Sequence, residues 1–348
     1  MLHYRFTTTP IGYRRARIVM GAVLAIGVVI AASAYIILQT KILALQSTHT
    51  DDIPTTTDTP EPFPISVNPS TQSIETDPDR ELYVETYARD YLTRRSSDYW
   101  FDQLLSRLSH LEWYQNLASP STRIVVVLPG ERKEQVTYNI GQILGWSVAE
   151  RNEFLALMDT TPPAFTDGTL LPGRYTVAQN ASPEAVFTTI NQRFSEHVLA
   201  RYPSEYEQTV PLHDALIIAS LLEREAYDFT DMRVISGVIW NRLFSDMNLQ
   251  IDATLQYARS QTEPGLNTWW PVPRPVDKFI TSPYNTYAHP GLPPGPISNP
   301  HVASIIAALN PQPTECLFYF HDRSGGFHCS ETYEQHVESL IIHYGQGR

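Results

Sequence analysis

Two glutamates, Glu223 and Glu225, close an apolar run that reads Leu212-His-Asp-Ala-Leu-Ile-Ile-Ala-Ser-Leu-Leu-Glu-Arg-Glu-Ala226. A helix with this pattern is apolar almost all round and belongs in a core. Charged side chains are rarely buried unless they are paired or have a task. Residues two apart on a helix point about 200° apart, so at most one of the two lines a given cleft. A carboxyl whose pKa is raised by an apolar wall can protonate a leaving oxygen and later take a proton back. In the plainer alternative, both lie at a wet helix end and one pairs with Arg233 or Arg242. Asp252 is the nearby candidate for a second carboxylate, and two-carboxylate glycoside hydrolysis needs one. It sits in Leu249-Gln-Ile-Asp-Ala-Thr254, whose alternation predicts a short strand with Gln250, Asp252 and Thr254 on one polar face. The loop Ser282-Pro-Tyr-Asn-Thr-Tyr287 adds Tyr284, Asn285, Thr286 and Tyr287 on a proline-stiffened frame, with rings for sugar faces and polar groups for hydroxyls.

The elements that must position these groups are legible in part. Apolar residues at helical spacing predict a helix over about Glu81 to Leu117. Arg123-Ile-Val-Val-Val-Leu128 predicts a strand, followed by a helix through Val136–Leu144 and another from Ser147, with Glu150 completing a capping box. Leu170–Val177 predicts a turn feeding a strand, and Ser182-Pro-Glu184 starts a helix with Pro in its first turn. Further helices are expected at about Leu212, Met232–Phe244, His301–Leu309 and from Thr332, with a hairpin centred on Ser324-Gly325. The Pro-dense stretch Thr262 to Asn299 predicts a lid or groove wall.

The chain has 348 residues, a net charge of −12 and 11% aromatics. That balance, with no basic stripe interleaved by aromatics, argues against nucleic acid as a partner. Ile18 to Leu38 is an uncharged apolar run of membrane-spanning length, and Arg5, Arg14, Arg15 and Arg17 precede it. The expectation is a cytoplasmic tail over 1–17, a transmembrane helix over 18–38 and the rest outside the plasma membrane. Gln46 to Asp79, rich in Thr, Pro, Asp and Ser, reads as a solvated spacer, so 39–80 is expected to be a disordered linker. The eleven histidines are scattered, and no HExxH, Walker loop or dinucleotide fingerprint occurs, which predicts neither metal nor cofactor. With Phe320 paired to Cys329, Cys316 falls about four residues, roughly 13 Å, out of register. A bridge needs Cα atoms within about 7 Å, so no disulfide is predicted.

Six segments together carry a resemblance: ASLLEREA (219–226), VIWNRL (238–243), MNLQIDATLQYA (247–258), SPYNTY (282–287), GLPPGPISNP (291–300) and TYEQH (332–336). In this order and spacing they resemble the endolytic murein transglycosylase (YceG-like) family. The resemblance implies an α+β protein with an N-terminal anchor, a LysM-like and helical subdomain over 81–205 and a catalytic domain over 206–348. It implies a lyase that cuts between N-acetylmuramic acid and N-acetylglucosamine in peptidoglycan, leaves a 1,6-anhydro end, and works beside the peptidoglycan synthases. The family's catalytic glutamate falls on Glu225. Substrate contacts are expected from Glu223, Asn241, Gln250, Asp252, Thr254, Tyr284, Asn285, Thr286 and Tyr287. Two departures stand out: the turn Pro172–Tyr175 lacks the family's aspartate, and Phe327 stands where the family has histidine, with His328 one place late. They keep open a non-catalytic peptidoglycan-binding scaffold, alongside a hydrolase using Glu225 with Asp252.

Overall fold

A computed structural model describes residues 60–118, 121–160, 167–263 and 268–345, all within one compact unit, Thr55–Arg348. The expected tail at 1–17 and membrane helix at 18–38 lie outside the described residues. Among those described, no helix is long and apolar enough to cross a membrane.

The principal core surrounds α6 (Leu212–Glu225), buried from Ala215 to Leu222 as its apolar run requires. It packs on α7 (Phe229–Phe244) and α9 (Val302–Leu309), the latter buried along its whole length. A smaller core lies between the antiparallel pair β3 (Thr122–Val127) and β4 (Gly173–Ala178) and the helices α3 (Lys133–Leu144), α4 (Val148–Thr160) and α5 (Pro183–His197). Val125, Val127 and Tyr175 face these helices, while Val126 packs on the other side against Phe101, Leu105 and Tyr114. A strand covered on both faces reads as a continuous apolar run, which is why Ile-Val-Val-Val marks it in the sequence. The expected caps form, with Ser147 and Glu150 bonding reciprocally and Ser182 accepting from the Ala185 amide.

Four expectations are corrected. The spacer ends earlier than predicted, because residues 60–77 pack on the principal core. Phe63 is fully buried under the Arg201 guanidinium, its amide donates to the Arg201 carbonyl, and Val67 opens a small hairpin of β1 (Val67–Asn68) and β2 (Ser73–Ile74). Two apolar anchors in a polar stretch leave no periodic signal. The boundary at 205 is also blurred. Helix α1 (Pro78–Ser109) puts Val84 in the principal core and Leu105 against β3, and Phe194, Val198 and Tyr202 join the principal core. No strand forms over 249–254: Gln250 takes a left-handed backbone (φ 52°), and Asp252 starts helix α8 (Asp252–Thr262). Finally, Cys316 and Cys329 are bridged, with Cα atoms 5.8 Å apart. Strand β5 (Phe318–His321) pairs with β6 (Phe327–Ser330) so that Tyr319, not Phe320, faces Cys329. Cys316 precedes the strand in a bend where its amide donates to Thr314 Oγ1, so it is not displaced along an extended chain.

Candidate active site

Helix α6 stops at Glu225 because the chain turns extended at Ala226 and Asp228 caps α7 by accepting from the Asp231 amide. This break aims Glu225 at the hairpin β5–β6 and the start of α8. Its Oε2 accepts from the Tyr319 hydroxyl at 3.0 Å, and its carboxylate also accepts from the Ala253 amide. Burial pushes the Glu225 carboxyl above its usual range, and the charge of Asp252 adds to the push. Donation from Tyr319 and Ala253, and the nearness of His321, oppose it. The residue as a whole keeps partial exposure, so the acid is desolvated by burial yet remains within reach from outside.

The surroundings are held by groups that give their hydrogen bonds to backbone. Arg242, almost fully buried, donates to the carbonyls of Leu317 (2.6 Å), Asn248 (3.1 Å) and Leu249 (2.7 Å). It thereby fixes the approach to α8 and the foot of β5, the two pieces that meet Glu225. Asp252 accepts from the Tyr287 hydroxyl at 2.7 Å. His321 shares a 2.7 Å hydrogen bond with Asp231, and Tyr227 stands edge-on to its ring.

The structure therefore gathers Glu225, Asp252 and Tyr287 from the expected set. Glu223, Asn241, Thr254, Asn285 and Thr286 hold the frame. Glu223 Oε2 accepts from the His301 amide and the Ser304 hydroxyl at the start of α9, whose cap is the His301 ring accepting from the Ala303 amide, and neither glutamate takes up Arg233, which pairs with Glu81. Asn241 donates to the carbonyls of Thr314 and Cys316. Thr254 and Thr286 share a buried hydroxyl–hydroxyl bond of 2.9 Å, and Asn285, fully buried, donates to the Lys278 and Ile280 carbonyls. The Tyr284 ring packs on that of Tyr257 at 4.7 Å, and Gln250 is exposed, its amide held by the Thr286 carbonyl. Tyr319, Arg242 and the Ala253 amide were not read from the sequence. For Tyr319 a signal exists: alternation along Phe318-Tyr-Phe320 puts its ring on the opposite face from both phenylalanines.

Two further acids sit where the smaller core meets the principal one. Glu131 accepts from the Leu128 amide, Gln135 and Asn139, and burial pushes it up to about 7. Asp167 accepts from the Lys133 amide and the Tyr257 hydroxyl, and is raised by burial and by the charge of Glu134. Asn299 bridges the same joint, bonding the Glu131 carbonyl and the Gly168 and Leu170 amides. Asp167 thus anchors the turn whose departure from the family pattern lies at Pro172–Tyr175.

Comparison with known proteins bears on this arrangement. The sequence profile of the YceG-like family matches residues 94–340. A Streptococcus pneumoniae protein named endolytic murein transglycosylase (serotype 2, strain D39) is 27% identical over 192 residues, 55% of this chain and 34% of that protein. One of the same name from Bacillus subtilis strain 168 is 33% identical over 172 residues, 49% of this chain and 46% of that one. The chain thus spans less than half the length of these curated relatives. The crystal structure of a yceG-like protein from Listeria monocytogenes superposes with a TM-score of 0.54 at 29% identity, covering 62% of this chain and 75% of that one. With the profile extending over most of its length, the chain belongs to the YceG-like family.

Proposed function

We propose that the protein is an endolytic murein transglycosylase in which Glu225 is both acid and base. The observation that carries this reading is the Glu225 carboxyl itself, raised by burial, steadied by Tyr319 and Ala253, and still partly exposed. Protonated, it donates to the oxygen joining N-acetylmuramic acid to N-acetylglucosamine, and the bond from the muramic C1 breaks. The resulting carboxylate takes the proton of the C6 hydroxyl of the same sugar as that oxygen attacks C1. The products are a free N-acetylglucosamine 4-hydroxyl and a 1,6-anhydro end, and the carboxyl returns to its protonated form. No water, metal or cofactor is consumed. Asp252 and Tyr287 stand beside the reacting sugar, and Gln250 and Tyr284 extend the contact surface. The apolar run 18–38 anchors the chain in the plasma membrane with its N-terminus inside, so that the site faces growing peptidoglycan near its synthases.

One observation favours a rival. The charge of Asp252 acts on Glu225, and a second carboxylate could activate water. Digesting purified glycan strands with the full-length chain in ¹⁸O-water separates the two. Transglycosylation gives anhydro ends without label, whereas ¹⁸O-labelled reducing ends would overturn it in favour of hydrolysis.

A further inference from the structure

Asp322, His328 and His343 come from three separate places, the hairpin turn, β6 and the last turn of the closing helix α10 (Tyr333–Tyr344). The fold brings His328 Nε2 to 2.7 Å and His343 Nδ1 to 3.7 Å from Asp322 Oδ2, with all three donor atoms within 4.8 Å of one another. We propose that these three side chains bind one divalent ion of the zinc class, with water completing its coordination.

Three features support this. First, the carboxylate is divided between two tasks. Its Oδ1 accepts from the Ser324 amide (2.8 Å), the Ser324 hydroxyl (2.6 Å) and the Gly326 amide (3.0 Å), which leaves Oδ2 turned to the imidazoles. Such outer hydrogen bonds orient a ligand before the ion arrives. The close approach depends on glycine, because a Cβ on Gly326 would lie 2.8 Å from Oδ2. Second, His328 is set by stacking on Phe320 across the strand pair, at 5.0 Å between ring centres, and its ring meets that of His343 at 3.9 Å, tilted by 42°. Third, the spacing suits the chemistry. Donors each about 2.1 Å from a tetrahedral ion stand roughly 3.4 Å apart, so modest side-chain rotation suffices. Two imidazoles and one carboxylate favour zinc or a neighbouring transition ion over calcium or magnesium, which prefer oxygen throughout. Partial exposure of all three side chains leaves room for water. The ion would fasten the hairpin tip to α10, beyond the Cys316–Cys329 bridge at its base.

The test uses the full-length chain stripped with a chelator and then titrated with Co²⁺, followed by absorbance, and with Zn²⁺, followed by calorimetry. His343→Ala and Asp322→Asn serve as comparisons, with circular dichroism to confirm folding. The expected result is one saturable equivalent that weakens at least tenfold in either variant, and a Zn²⁺-dependent rise in Tm confined to the wild type. No saturable binding, or binding of unchanged strength in His343→Ala, would overturn the proposal. Glycan cleavage does not enter these readouts.

Discussion

Carboxyls raised by burial stand both at the end of α6 and at the joint between the cores, in different settings. At the joint, Glu131 is 5% exposed and Asp167 1%, and their oxygens are met by amides, carboxamides and a tyrosine of the protein itself. Glu225 is also raised by burial, but with partial exposure and with Tyr319 and Ala253 as its donors. A raised pKa alone therefore does not mark a catalyst. The joint uses protonated or saturated acids to fasten two layers, and the helix end keeps one such acid accessible. A proton held in a sealed joint affects stability, and a proton at an open helix end can be passed on.

The largest expected effect breaks the comparison at its open end. Glu225→Gln should lower strand cleavage by about two to four orders of magnitude, worth roughly 3–5 kcal/mol of barrier. Its Tm at neutral pH should not fall, because the neutral amide avoids a desolvated charge; mass spectrometry of digests and thermal melts check both. At the sealed end, Glu131→Ala strands the Leu128 amide and should cost about 1–3 kcal/mol of stability. Cleavage per folded molecule should stay unchanged. The pH dependence has a definite sign. A carboxyl raised to about 7 in the folded state contributes stability that is complete below its unfolded value and is lost as pH rises through about 7. The Tm should therefore decline over that range, and Glu131→Gln should flatten the decline. Glu223→Ala leaves the His301 amide and the Ser304 hydroxyl without their acceptor and should cost about 1–3 kcal/mol in denaturant titrations. Tyr319→Phe is the mildest change, about 0.5–1.5 kcal/mol. By removing a donor to the carboxylate it should move the Glu225 pKa, and the upper limb of the pH–rate profile, further up.

The elements that carry this contrast were unequally legible in sequence. Helix α6 and strand β3 announce themselves as apolar runs because they are covered on all sides. The opposite faces of Glu223 and Glu225 follow from helical geometry alone. Around Asp252, the alternation Leu-Gln-Ile-Asp imitates a strand because Leu249 and Ile251 are both buried, yet the backbone turns left-handed at Gln250 and a helix begins. Thr254, Asn285 and Thr286 look like sugar contacts by type, but tertiary packing uses their polar atoms inside. The Cys316–Cys329 bridge and the convergence of His328 with His343 depend on bends and pairings that no local pattern encodes. Arg242 was visible as a charge but not as a clamp on three carbonyls from two separate segments.

The central claim, that Glu225 and not an acid of the joint passes its proton to the glycan, is tested most directly by the pH–rate profile of anhydro-end formation in three proteins. These are the wild type, Glu131→Gln and Asp167→Asn. The account predicts an upper limb above the ordinary carboxylate range, set by Glu225 and unmoved in either variant. A limb that shifts or vanishes when a joint acid is neutralised would contradict it.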